Sequence, residues 1–210
     1  MLISTARNFI FVHNQKSAGT SIAARLAASA PDCRRLLPMH APAADGIAKL
    51  GRDTWDSYYS FGFVRNPWAR LVSWYSMICE RPPQINRNSL WDYVRSNSRN
   101  FEEFVMNCSD VISEQTIGGY VYRKGFAINQ LDYFIDGRGD VAVSFIGKFE
   151  QLERDFEVVS GNIGLENTEL EWKNRTQDKD FTTFYSPRTR DLVAHRFRRD
   201  IEYFEYTFEP

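Results

Sequence analysis

Apolar runs and amphipathic stretches alternate along most of the chain. Phe9 to Val12 is a short continuous apolar run, the pattern of a strand buried on both faces. The period then changes: Ile22, Ala23, Leu26, Ala27 and Ala30 share one helical face, and Pro31 marks its end. A second unit is expected from Leu36 and Leu37 through His40 into a helix over about 42–50, with Gly51 as its stop. The third runs from an aromatic-rich strand, Tyr58 to Val64, into a helix that Pro67 opens. Its buried stripe is Trp68, Leu71, Val72, Tyr75 and Ile78.

Residues 81–139 are less regular and read as an insertion, placed on the acceptor side of any site, with helices near 90–96 and 100–107 and a turn at Asp136-Gly137-Arg138-Gly139. Beyond it, Val141 to Ile146 predicts a further strand, and Phe149, Leu152, Phe156 and Val159 the stripe of the helix that follows. Ser186 as N-cap and Pro187 at the first helical position open a final helix with Val193, Phe197, Ile201 and Phe204 inward. Strands alternating with helices predict an α/β fold with a central, mainly parallel sheet flanked by helices.

The 210 residues suit one domain, 1–210, with a core large enough to need no disulfide or metal staple. The net charge of -1 gives no general pull toward nucleic acid or an acidic membrane, so an anion site has to be built locally from Lys and Arg. Cys33, Cys79 and Cys108 form an odd, widely spaced set, which argues against a disulfide framework or a zinc site and for a reducing compartment. No apolar run approaches the ~18 residues of a membrane span. With no leader-like segment ahead of the first strand, a cytoplasmic protein is expected.

Candidate chemistry starts where the first strand passes into the first helix, at Gln15-Lys16-Ser17-Ala18-Gly19-Thr20-Ser21. A small-residue loop entering a helix gathers backbone N–H groups and the positive helix end at one point, which suits phosphate or sulfate. Ala18 and Gly19 allow close approach, Thr20 and Ser21 add hydroxyls at the helix start, and Lys16 adds a mobile positive charge. In a P-loop NTPase the lysine follows the last glycine; here Lys16 precedes Gly19 by three residues. Alone, such a loop could equally be an ordinary turn with an exposed lysine.

A second segment, Phe63-Val64-Arg65-Asn66-Pro67-Trp68-Ala69-Arg70-Leu71-Val72-Ser73, puts an arginine at a strand end and a serine nearly two turns into the next helix. Ser73 falls off the apolar stripe, on the side shared with Asn66, so an Arg65 fork and a hydroxyl could converge on one anion. Alone, Arg65 could equally cap the sheet edge in a salt bridge.

Together, the stretches QKSAGTS and FVRNPWARLVSWY resemble the sulfotransferases that use 3'-phosphoadenosine-5'-phosphosulfate, in particular the carbohydrate-type branch. Weaker similarity touches His40-Ala41-Pro42-Ala43, Phe145 to Glu150 and the C-terminal helix. The resemblance implies a P-loop-like α/β domain in which Lys16, Ser17, Gly19, Thr20 and Ser21 hold the 5'-phosphosulfate while Arg65 and Ser73 hold the 3'-phosphate. Gln15 departs from the proline usual in the family. A donor with two anionic ends needs two anion sites, and an ATP enzyme has no use for the second. No carboxylate cluster accompanies the loop, so no divalent metal is expected.

Sulfuryl transfer needs a charge partner for the leaving oxygen, a role that falls to Lys16, and a base for the acceptor hydroxyl. Histidine suits the second, and position at strand ends favours His13 and His40 over His195. The resemblance of His40-Ala41-Pro42-Ala43 to the branch's H-A-T-A segment singles out His40. Near the C-terminus, Trp172-Lys173-Asn174-Arg175-Thr176 falls where the branch often has a motif near the cofactor, with a solvated polar loop as the alternative; Arg123-Lys124-Gly125 is a basic triplet that fits a solvated surface turn better than a site for anionic substrate. The expected function is sulfation of a hydroxyl on a carbohydrate or carbohydrate-containing acceptor. The alternatives are a nucleotide kinase or NTPase on a related fold and a non-catalytic nucleotide-binding module.

Overall fold

A computed structural model describes residues 1–80, 89–115, 121–166, 168–170 and 180–209. The chain forms two compact units, Met1–Arg65 with Gln130–Asn174, and Asn66–Asn129 with Arg175–Pro210.

The first unit opens with a strand that the sequence pattern did not signal, β1 (Leu2–Ser4), followed by β2 (Phe9–Val12) and α1 (Gly19–Ser29). Strand β3 is Arg34–Arg35 rather than Leu36 and Leu37; both arginines are exposed, and only backbone pairing with β1 defines it. Helix α2 (Ala43–Leu50) stops at Gly51, whose φ of 83° suits glycine, and a short α3 (Arg52–Asp56) precedes β4 (Tyr59–Val64).

In the second unit, α4 (Pro67–Glu80), α5 (Ser89–Asn97) and α6 (Phe101–Asn107) lead to an unexpected hairpin, β5 (Ile112–Gln115) with β6 (Val121–Lys124). Back in the first unit, β7 (Phe145–Lys148) leads to α7 (Leu152–Ile163), with β7 starting four residues later than the apolar run suggested. The expected final helix, in the second unit, breaks at Phe197 into α8 (Pro187–Arg196) and α9 (Arg198–Phe204).

The five-stranded sheet has the order β3-β1-β2-β4-β7. β2, β4 and β7 run parallel; at one edge β1 pairs antiparallel with β2, and β3 pairs antiparallel with β1. On one face, Phe9, Phe11, Phe61 and Phe63 meet Ile22 and Leu26 of α1 and Leu152, Phe156 and Val159 of α7. Each such side chain contributes about 1.5–3 kcal/mol by leaving water. On the other face, Gly62 makes room for Phe134: a Cβ there would lie 2.2 Å from its ring.

The second unit is an aromatic core. Phe104 meets Phe126 at 4.9 Å and Phe101 meets Tyr185 at 4.9 Å between ring centroids. Asn66 caps α4, its Oδ1 accepting from the Trp68 and Ala69 N–H groups at 3.1 and 3.4 Å, while its Nδ2 donates to the Thr207 carbonyl at 2.8 Å. No helix among the described residues is long and apolar enough to cross a membrane.

Candidate active site

The three parallel strands end side by side, so the residues that follow them share one edge of the sheet: His13 after β2, Arg65 after β4 and Phe149 after β7. In open α/β sheets this carboxyl edge is where ligands gather.

After β2 the chain makes a tight turn in which two non-glycine residues are left-handed, Lys16 at φ 67° and Ala18 at φ 60°. Each costs about 1–2 kcal/mol and persists only where its surroundings hold it. Asn14 does the holding. Its Oδ1 accepts the Gln15 N–H at 2.7 Å, and its carbonyl oxygen accepts the Ser17 hydroxyl at 3.1 Å. The first of these bonds excludes proline at position 15, because a proline would have no N–H to give. Ala18 then caps α1 without supplying a side-chain oxygen. An anion is the natural partner for such an uncapped helix start. Lys16 is half-buried, Ser17 and Ser21 are buried, and Thr20 is exposed.

Gly19 is required by its neighbour. A Cβ on it would lie 2.0 Å from Nε2 of His13, so the imidazole lies directly against the start of the helix. His13 is 5% exposed, stacks on Phe11 with centroids 5.5 Å apart, and meets His40 edge-on at 4.9 Å. Burial, and then the neighbouring His40, hold the His13 imidazole far below the usual range, at about 3, so it is neutral at physiological pH. The Nδ1 of His40 lies 3.0 Å from the His13 carbonyl oxygen. A carbonyl can only accept, so Nδ1 carries the proton and Nε2 carries the lone pair. That tautomer is the one a proton acceptor needs. His195 lies exposed in the last turn of α8.

At the end of β4, the Arg65 guanidinium lies over the Phe149 ring with 4.1 Å to its centroid. The sequence pattern assigned Phe149 to the stripe of α7, but it stands in a separate 3-10 turn, Phe149–Gln151, just before that helix. Gln130, fully buried, accepts from the Arg65 N–H at 2.9 Å and donates to the Arg65 carbonyl at 2.7 Å. Asn14 and Gln130 carried no local sequence signal for their join, which spans 116 positions, and Gln130 meets Arg65 across 65.

Ser73 lies in α4 of the second unit and is 6% exposed. The first two turns of α4 are buried on every side, including Arg70 at 1%, so apolar periodicity does not mark out a solvent face for Ser73. Arg123 and Lys124 lie in β6. Residues 172–176 lie outside the described residues. Among the described residues, no group of His, Cys, Asp and Glu is placed to hold a metal ion.

A profile of the sulfotransferase family matches residues 1–207, nearly the whole chain. The chain belongs to the sulfotransferase family. An uncharacterized protein of Archaeoglobus fulgidus is 30% identical over 118 residues, covering 56% of this chain and 77% of that one. No solved structure matches the chain. Membership makes this sulfotransferase an enzyme of sulfuryl transfer, acting between a sulfonate donor and a hydroxyl-bearing acceptor.

Proposed function

We propose that this sulfotransferase moves the sulfuryl group of 3'-phosphoadenosine-5'-phosphosulfate to a hydroxyl of a carbohydrate or carbohydrate-containing acceptor, on a P-loop-like fold. The observation that carries the reading is the junction at His13. Its side chain packs against the first residue of α1, and its carbonyl fixes the tautomer of His40, so an anion-binding turn and a proton acceptor share one anchor.

The residues at hand fit the donor. The left-handed turn, the start of α1, Lys16 and the hydroxyls of Ser17, Thr20 and Ser21 suit the 5'-phosphosulfate end. Arg65, steadied on Phe149, and Ser73 are assigned to the 3'-phosphate on the strength of their motif.

In the transfer, the bond from sulfur to the 5'-phosphate oxygen breaks as the bond from sulfur to the acceptor oxygen forms. The acceptor proton passes to Nε2 of His40, and Nδ1–H donates to the His13 carbonyl throughout, a bond that strengthens as the ring becomes cationic. Lys16 offers its ammonium to the oxygen on which charge develops. Positioning and charge compensation dominate such loose group transfers, so no further covalent chemistry is required of the chain.

Incubation with sulfur-labelled donor and a panel of sugars, glycosaminoglycan oligosaccharides, phenols and steroid alcohols tests the acceptor class. Label in the carbohydrates is expected; label confined to phenols or steroids overturns that part of the reading.

A further inference from the structure

Asn14 and Gln130 are 116 positions apart and form one buried amide pair, with Asn14 Nδ2 donating to Gln130 Oε1 at 3.0 Å. Neither is more than 1% exposed. Each amide continues into a different segment assigned to the donor. On one side, Asn14 shapes the turn that carries Lys16, through Gln15 N–H and the Ser17 hydroxyl. On the other, Gln130 grips the N–H and the carbonyl of Arg65. Asn14 Nδ2 also reaches the Phe63 carbonyl at 3.2 Å, so both edges of the junction are tied to β4.

The location of the pair matters as much as its bonds. The register of β2 with β4 ends at Val12 and Gly62, and the strand ladder has no need of a join beyond that point. The amide pair sits just past it, where the two strands part and the segments assigned to the donor begin. An amide does not titrate, so the join is the same at every physiological pH. Buried amides are also costly to leave unsatisfied, so loss of Gln130 would let the Arg65 segment relax away from the Lys16 turn, which Asn14 still holds through its local bonds.

We infer that the Asn14–Gln130 pair is a positioning device that fixes the span between the Lys16 turn and Arg65, and thereby selects nucleotides that carry both a 5'- and a 3'-phosphate. The inference rests on the reading of Arg65 as the partner of the 3'-phosphate.

Calorimetric titration of adenosine 3',5'-bisphosphate and adenosine 5'-monophosphate tests it, in the wild-type protein, Gln130→Met, Arg65→Ala and the double variant. Methionine keeps the volume and removes the amide. The wild-type protein should prefer the bisphosphate. In Gln130→Met, bisphosphate binding should weaken about tenfold with the monophosphate little changed. The double variant should bind the bisphosphate no more weakly than Arg65→Ala, because both changes remove one interaction. If Gln130→Met melts below the assay temperature, Gln130→Leu removes the same amide, leaves the local bonds of Asn14 to the turn in place, and should show the same loss of preference. Folded variants that keep the wild-type preference, or lose both nucleotides equally, overturn the inference alone. A wild-type protein with no preference overturns the donor reading and the inference with it.

Discussion

The Nδ1–H of His40 is held by the carbonyl oxygen of His13 at 3.0 Å, and His13 is the first residue after β2, on the way into the turn that carries Lys16. One backbone atom thus connects the proposed base to the proposed anion site. His40→Ala should lower turnover by about 10²- to 10⁴-fold with donor affinity kept. It should also abolish the fall in rate on acidification that protonation of an imidazole base produces. An unchanged rate and pH profile would remove His40 from the chemistry.

Gly19→Ala should disturb the same junction from the helix side. Its methyl would lie 2.0 Å from Nε2 and 2.1 Å from Cδ2 of His13, so the imidazole must move. Overpacking of this kind costs about 1–3 kcal/mol. Thermal unfolding should show that loss, together with a lower turnover as the anchor of His40 shifts.

His13 also predicts a pH dependence of stability. Its imidazole is held down to about 3 in the folded protein by burial and by His40, against about 6.5 in an unfolded chain. Between those values the unfolded state binds the proton and the folded state does not, so the contribution is complete above pH ~6.5 and is lost as the pH falls toward 3. The slope is at most about 1.4 kcal/mol per pH unit. Urea unfolding at pH 7 and pH 5 should show a steeper loss on acidification in the wild-type protein than in His13→Gln; equal slopes would contradict the neutral, buried state of this ring.

Lys16→Ala removes the charge partner proposed for the leaving oxygen. Loss of one comparable donor costs about 2.7–4 kcal/mol in other enzymes, so turnover should fall about 10²- to 10³-fold. Near-normal turnover with donor binding intact would contradict the assignment.

Much of this was legible in the sequence because local patterns decide it. The apolar run Phe9 to Val12 is buried throughout, Gly51 stops α2, Ser186 caps α8 in a reciprocal pair with Thr189, and Asp136 closes its turn by accepting from the Arg138 and Asp140 N–H groups. β1 and β3 were not legible. They are three and two residues long, and backbone pairing rather than side-chain pattern defines them. The break at Phe197 escaped for a related reason: Val193, Phe197 and Phe204 are all buried, so the apolar spacing runs straight across the joint between α8 and α9. At the site, Lys16, Gly19 and His40 stand in short motifs. The join of Asn14 to Gln130 and the stacking of Arg65 on Phe149 arise only when β2, β4 and β7 bring their ends together.

The identity of the donor is tested most directly by thermal unfolding of the protein with adenosine 3',5'-bisphosphate, and separately with ATP and magnesium. A ligand present at about 100 times its Kd stabilises by about 2.7 kcal/mol, enough to move the transition by several degrees. The account predicts that shift with the bisphosphate and little or none with ATP and magnesium. Stabilisation by ATP and magnesium, with none from the bisphosphate, would contradict it.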